Sequence, residues 1–318
     1  MKVVKIVSRC ILALTFLFSG LVKANDPFGM VYKMQEYFAA LGCGNIPFPF
    51  LTIFTIALAS FEFCLGMALA IGNRKVLMNA VRIATVFMFL MTLLTLWLAL
   101  TDAVRDCGCF GDVIVFTNWQ TFFKNIMLLA MCVLLWWKMD DEPCVVNATI
   151  FKIANPIMCG FIVALSLISF HHLPRVDTSS YKIGTRLNEI DTFFAEKDGV
   201  DVTEDIVSKK GKIYLLVAPY LRDADEGGMG EYNAIYKMCH KKGYDFCCLT
   251  ASDETEIDKW KHDMAAEYPF LYSDDAELKT MVRSNPGILF LENGIIKRKY
   301  SKNDLIKIIK NEKENCSR

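Results

Sequence analysis

The sequence predicts an α-helical membrane bundle followed by a soluble α/β domain. Three observations carry this expectation. Hydrophobic residues make up 53% of the 318 positions, and the mean hydropathy is positive. Nearly all of the excess lies before residue 175. The remainder alternates short apolar runs with charged stretches of helical period, the pattern of a mixed sheet. A chain of this length accommodates two domains. The 35 Lys and Arg balance the 35 Asp and Glu, so charge points to no nucleic-acid partner.

A spanning helix needs about 20 mainly apolar residues. Five segments meet that need: Val3–Val22, Phe48–Ile71, Val76–Leu100, Trp119–Trp137 and Ile153–Phe170. Lys5 and Arg9 in the first, Arg82 in the third and Lys124 in the fourth sit near segment ends, where long cations snorkel to the headgroups. The opening stretch also fits a secretory signal cleaved after Ala24, but the spans that follow favour a retained helix. Residues 24–47 read as a loop. Asn155-Pro156 falls near the start of the fifth segment, where proline is tolerated.

Basic residues in short loops set orientation. Lys2, Lys5 and Arg9, then Arg74 and Lys75, then Lys138 and Lys152 mark one face, which is expected to be cytoplasmic. Loops 24–47 and 101–118 and everything after residue 172 fall on the other face, with Lys33 and Arg105. The expected setting is a bacterial inner membrane, with the lipid bilayer as one partner and the C-terminal domain extracytoplasmic.

Twelve cysteines occur. Cys10, Cys64, Cys132 and Cys159 lie within spans and read as small buried hydrophobes. Cys144 falls in the cytoplasmic loop. Cys43, Cys107 and Cys109 lie on the outer face, as do Cys239, Cys247, Cys248 and Cys316. The run RDCGCFGD (105–112) is the most distinctive. A Cys-x-Cys ring departs from relaxed disulfide geometry and is easily reduced, and Gly108 eases its closure. Cys107 and Cys109 therefore read as a reversible redox pair on the oxidising face, with Cys43 as a resolving partner. Two other readings stand beside it. One is a structural bond from Cys43 to either cysteine. The other is a zinc site, for which a fourth ligand is missing.

The blocks FLFSGLVKANDPFGMVYKMQEYF (16–38), FEFCLGMALAIG (61–72) and CGCFGD followed by NWQTFFKNIMLL (107–129) resemble the DoxX/MauE group of four-helix membrane proteins. The resemblance covers the four-helix core within residues 1–150. It leaves a fifth helix at 151–173 and a further domain at 174–318. It implies a thiol-redox or protein-maturation role, with a membrane quinone as the candidate cofactor.

Several polar residues in and beside the spans invite roles. Glu62 is expected to pair with Arg82 across the GNRK hairpin, in the cytoplasmic half, with a proton path or quinone contact as the alternative. Lys124, near the outer end of its helix, would lower a nearby thiol pKa. Lys23 and Asp26 read as loop-fixing residues.

In the C-terminal region, KIYLLVAPY, YDFCCLT and PFLYS read as strands, and GGMGEYNAIYKMCHKK, ETEIDKWKHDM and DAELKTMVR as helices. SNPGILFLENGIIKRKYS reads as a hairpin turning at Asn-Gly, and NDLIKIIKNEK as a closing amphipathic helix. This order resembles thioredoxin, with Asn285-Pro286 at the position of its cis-proline. The departure is APYLRDADEGGMGEYN, which holds no cysteine where thioredoxins place Cys-x-x-Cys. Adjacent Cys247 and Cys248 should face opposite sides of one strand.

Two functions follow. In the first, Cys107 and Cys109 oxidise or reduce an extracytoplasmic protein substrate, with a quinone as electron carrier. In the second, the protein is a non-catalytic membrane scaffold whose thioredoxin-like domain binds a partner by shape.

Overall fold

The structure is a computed structural model that describes residues 2–43, 46–104, 107–137, 148–224 and 229–314. The chain divides into two units, Met1–Ser169 and Phe170–Arg318. Lys138, Cys144, Cys316 and Arg105 lie outside the described residues.

The first unit is built from α1 (Lys2–Asn25), α2 (Pro27–Ala40), α3 (Phe48–Ile71), α4 (Arg74–Thr101), α5 (Asn118–Trp137) and most of α6 (Ala148–His171). All of these except α2 are long and apolar enough to cross a membrane. The expected loop at 24–47 is corrected: it contains α2. Asp26 caps that helix by accepting from the Gly29 amide at 2.9 Å, and Pro27 occupies its first turn, the order a helix start favours.

Antiparallel α1 and α3 approach closely because glycines remove side chains between them. A Cβ on Gly20 would lie 2.7 Å from the Ala59 carbonyl oxygen, and one on Gly66 would lie 2.7 Å from the Leu17 amide. Small residues of this kind let membrane helices pack backbone to backbone. At the other end of the same seam Arg9 turns inward instead of snorkelling. Its Nε donates to the Leu69 carbonyl at 2.6 Å and its Nη2 to that of Ala70 at 3.1 Å. These carbonyls belong to the last turn of α3, where a cation complements the helix dipole. Helices α4 and α5 are joined by Asn125, whose Nδ2 donates to Thr95 Oγ1 at 3.2 Å. Because α6 begins at Ala148, Pro156 lies two turns inside the helix and not near its start.

The second unit holds a seven-stranded mixed sheet in the order β2-β1-β5-β4-β3-β6-β7. The strands are β1 (Glu196–Lys197), β2 (Val200–Asp201), β3 (Lys212–Ala218), β4 (Asp245–Thr250), β5 (Phe270–Tyr272), β6 (Gly287–Glu292) and β7 (Ile295–Ser301). Strands β3, β4 and β5 run parallel, while β6 is antiparallel to β3 and β7 to β6. The helices are α7 (Thr203–Val207), α8 (Met229–Lys242), α9 (Glu254–Met264), α10 (Asp275–Met281) and α11 (Leu305–Glu314). The arrangement is compatible with a thioredoxin-like fold.

Strand β3 is apolar throughout because both its faces are covered. Leu215 and Val217 join Leu249 and Leu289 on one side, while Tyr214 and Leu216 join Tyr232, Ile235 and Trp260 on the other. Cys247 packs on the first side and Cys248 on the second, as strand alternation requires. The β6–β7 hairpin turns at Asn293 and Gly294, both at positive φ. The Asn285-Pro286 bond is cis. The chain after β3 passes through Pro219 and Tyr220 into a 3-10 turn at Leu221–Asp223, and Asn285 Nδ2 donates to the Tyr220 carbonyl at 3.1 Å.

Candidate functional site

The Cys-x-Cys run lies in the segment between α4 and α5. Helix α4 ends at Asp102, whose left-handed backbone (φ 47°) turns the chain out of the helix. Asn118, opening α5, fastens the start of the segment. Its Nδ2 donates to Asp102 Oδ1 at 3.1 Å and to the Val104 carbonyl at 3.0 Å. Gly108 takes a positive φ of 64°, and a Cβ there would meet Lys33 Cγ of α2 at 2.9 Å. Glycine thus meets two demands at once: the left-handed backbone and the close passage of α2.

This turn brings the two sulfurs together. Cys107 Sγ and Cys109 Sγ are 2.6 Å apart, closer than unbonded sulfurs pack and longer than a disulfide bond. Their carbonyls are gripped by two helices. Tyr37 Oη of α2 donates to the Cys107 carbonyl at 2.6 Å. Ser19 Oγ and Lys23 Nζ of α1 donate to the Cys109 carbonyl at 2.9 and 3.0 Å. Lys23 Nζ also donates to Ser19 Oγ at 2.6 Å and to Glu62 Oε2 of α3 at 2.8 Å. All three of its protons are therefore placed.

The expected pairing of Glu62 with Arg82 is corrected. Glu62 and Lys23 form a buried ion pair, with side chains 5% and 4% exposed, and Arg82 is exposed. The cause lies in helix packing: α3 presents its Glu62 face to the antiparallel α1, and the hairpin link to α4 does not decide which helix it meets. The pair consequently lies beside the Cys107–Cys109 turn. Lys23 holds Glu62 and the cysteine turn together, beyond the loop-fixing role its position suggested. Asp26 does fix a local structure, as the cap of α2.

Cys107, Cys109, Ser19, Lys23, Glu62, Lys124 and Asn125 all line one cavity of about 280 Å³. The rest of its wall is apolar and rich in methionine, with Met30, Met34, Met88 and Met91. Such side chains shape themselves to irregular apolar ligands. Lys124 Nζ stands 4.3 Å from the centre of the Phe110 ring and 5.6 Å from that of Phe116, within cation–π range.

The two thiols differ in acidity. The hydrogen bond from Cys107 is the largest cause lowering Cys109, to about 6; Lys124 and Lys23 add to it against burial and the Glu62 charge. Cys107 is raised well above the ordinary thiol value by its bond to Cys109 and by burial. Of the two, Cys109 is the one favoured as thiolate and Cys107 the one favoured to keep the proton, the asymmetry a nucleophile and its partner need.

Cys43 is an exposed thiol in the turn after α2 and does not line the cavity. Among the described residues no group of three His, Cys, Asp or Glu is placed to hold a metal ion. Ser19, Tyr37 and Asn125 are site residues that the sequence reading did not single out. For Ser19 a signal existed: Ser19 and Lys23 are four apart and share one helix face.

Residues 1–138 fit the family model described as methylamine utilisation protein MauE. The helical bundle up to residue 138 is MauE-like. No curated protein matches the chain.

Proposed function

We propose that this MauE-like bundle is a membrane thiol–disulfide oxidoreductase whose working pair is Cys107 and Cys109. The observation that carries the reading is the meeting of two sulfurs at 2.6 Å on the wall of an apolar cavity with two lysines beside them. A purely structural turn needs neither a thiol of depressed pKa nor a cavity. Thiols facing an apolar cavity exchange electrons with a small lipophilic carrier, and a quinone has the required ring and carbonyl oxygens. In the oxidising direction the pair passes two electrons to the quinone. The resulting disulfide then accepts two electrons from the dithiol of an extracytoplasmic protein.

The setting proposed is a bacterial inner membrane. The turn bearing Cys107 follows three spans and the C-terminal unit follows five, so both belong on the same, extracytoplasmic side. That unit carries no cysteine at the end of β3, where Ala218, Pro219 and Tyr220 occupy the place of a thioredoxin dithiol. Its contribution is recognition of the substrate. The same feature favours a second reading, a scaffold that binds a partner without chemistry.

The test is oxidation of a dithiol peptide by the full-length protein in vesicles supplied with a lipophilic quinone. The variants C107S and C109S should each fall to background. Given the same peptide in its disulfide form, the remaining cysteine should attack that bond and hold a mixed disulfide, releasing one peptide thiol. Full activity in either variant sinks the oxidoreductase reading in favour of the scaffold.

A further inference from the structure

Among the described residues that line the cavity, the charges do not balance in both redox states. With the cysteines reduced, the Cys109 thiolate and Glu62 offset Lys23 and Lys124. Once the disulfide forms the thiolate is gone, and Lys23, Glu62 and Lys124 together leave one surplus positive charge. In an apolar enclosure an uncompensated charge is costly. The site must lose a proton or bear that cost.

The geometry distinguishes the two lysines. Lys23 has every proton placed, one of them on the Glu62 carboxylate at 2.8 Å. Deprotonating it would strand that buried carboxylate. Among the described residues Lys124 has no carboxylate at ion-pair distance; its neighbours are the Phe110 and Phe116 rings and the thiol pair. It lies six residues into α5, about 9 Å below the helix start at 1.5 Å per residue. Its side chain lines the cavity. Aromatic rings hold an ammonium weakly compared with a carboxylate.

We propose that Lys124 is the proton carrier of the redox cycle, handing its proton to the cavity-bound acceptor as the Cys109 thiolate is consumed. This rests on the oxidoreductase reading above and adds to it. In the oxidising half, the Cys107 thiol, the Cys109 thiolate, protonated Lys124 and a quinone yield the disulfide, neutral Lys124 and a quinol. The S–H bond of Cys107 breaks and the S–S bond forms. Two electrons pass to the quinone, and one proton each from Cys107 and Lys124 completes the quinol. In the other half, a substrate dithiol reduces the disulfide. Its two protons return to Cys107 and Lys124, and the Cys109 thiolate is restored. No net charge develops in either half.

Among the described residues the other titratable groups around the turn are few. Helix α1 supplies Lys23 and α3 supplies Glu62. Helix α2 supplies Tyr37, on the Cys107 carbonyl, and the Lys33–Glu36 pair at 2.8 Å. Asp102 is engaged by Asn118, and Asp112 is exposed. The α4 residues on the cavity wall, Phe87, Met88, Met91 and Leu94, do not titrate.

The test uses the full-length protein in detergent, equilibrated with mixtures of reduced and oxidised dithiothreitol between pH 6.5 and 8, with the Cys107–Cys109 state read by mass after alkylation. Dithiothreitol releases two protons on oxidation in this range. In the wild type both go to the protein, so the exchange constant should not vary with pH. Lys124→Arg keeps a cation and removes the ability to give up a proton. Its exchange constant should rise tenfold per pH unit. Lys23→Arg should remain flat, which separates the carrier from a merely nearby charge. A tenfold slope in the wild type, a flat Lys124→Arg or a slope in Lys23→Arg overturns the assignment. If the pair fails to equilibrate with dithiothreitol in the wild type, the oxidoreductase reading falls, and the carrier with it.

Discussion

At the scale of single residues, the buried Lys23–Glu62 pair is where energetics and site geometry meet. Burying an ion pair recovers at best what desolvation costs, but removing one partner leaves the other charge stranded and costs about 3–5 kcal/mol. Lys23→Met and Glu62→Gln should therefore each destabilise the bundle by several kcal/mol. The double variant should cost clearly less than their sum, because the stranded charge disappears. Arg82→Leu should change little, within about 0.5 kcal/mol, as exposed positions do. Unfolding of the four variants in detergent by denaturant decides the matter. If Arg82→Leu costs as much as Glu62→Gln, or the double variant is fully additive, Lys23 is not the partner that Glu62 depends on.

At the scale of elements, the site exists because α1 and α3 touch closely enough for Lys23 to reach both Glu62 and the Cys109 carbonyl. Gly66 permits that contact, since a Cβ would lie 2.7 Å from the Leu17 amide and 3.0 Å from the Ala13 carbonyl. Backbone cannot yield as a flexible side chain can. Gly66→Leu should wedge the helices apart at a cost of about 1–3 kcal/mol and expose Cys109 to a polar maleimide that reaches it slowly in the wild type. Unchanged labelling would mean the helix contact does not shape the site. Legibility also follows element size. Long apolar runs announced the five spans, and strict apolarity announced β3. Helix α2 has no 20-residue apolar run, and its Asp26-Pro27 start was the signal left unused. The β1–β2 hairpin, with two-residue strands, is too short for periodicity, although Asp198-Gly199 marks its turn, both at positive φ. Within the site, Cys107 and Cys109 were legible because they are neighbours in sequence. The Lys23–Glu62 contact spans 39 positions and depends on which helix α3 packs against, which hairpin adjacency to α4 misjudged.

At the scale of the whole molecule, sidedness constrains the proposed chemistry most strongly. Disulfides persist in oxidising compartments and rarely in the cytosol, so a dithiol oxidase must present its turn outward. If all five apolar helices cross, counting spans makes three features share one side: Cys43 after the first, the Cys107 turn after the third and the C-terminal unit after the fifth. The tight turn at Gly72 and Asn73, followed by exposed Arg74 and Lys75, then belongs to the opposite face, which the positive-inside rule assigns to the cytoplasm in the orientation proposed. In intact spheroplasts a membrane-impermeant maleimide should label Cys43, and added protease should release the C-terminal unit. A cysteine placed by Asn73→Cys should label only after lysis. If Asn73→Cys labels in intact cells while Cys43 is shielded, the bundle is inverted, and the pair would face a reducing compartment where any disulfide it made would be reduced again. If both label from outside, one of the five helices does not cross, and the shared side of the turn and the C-terminal unit no longer follows from the count.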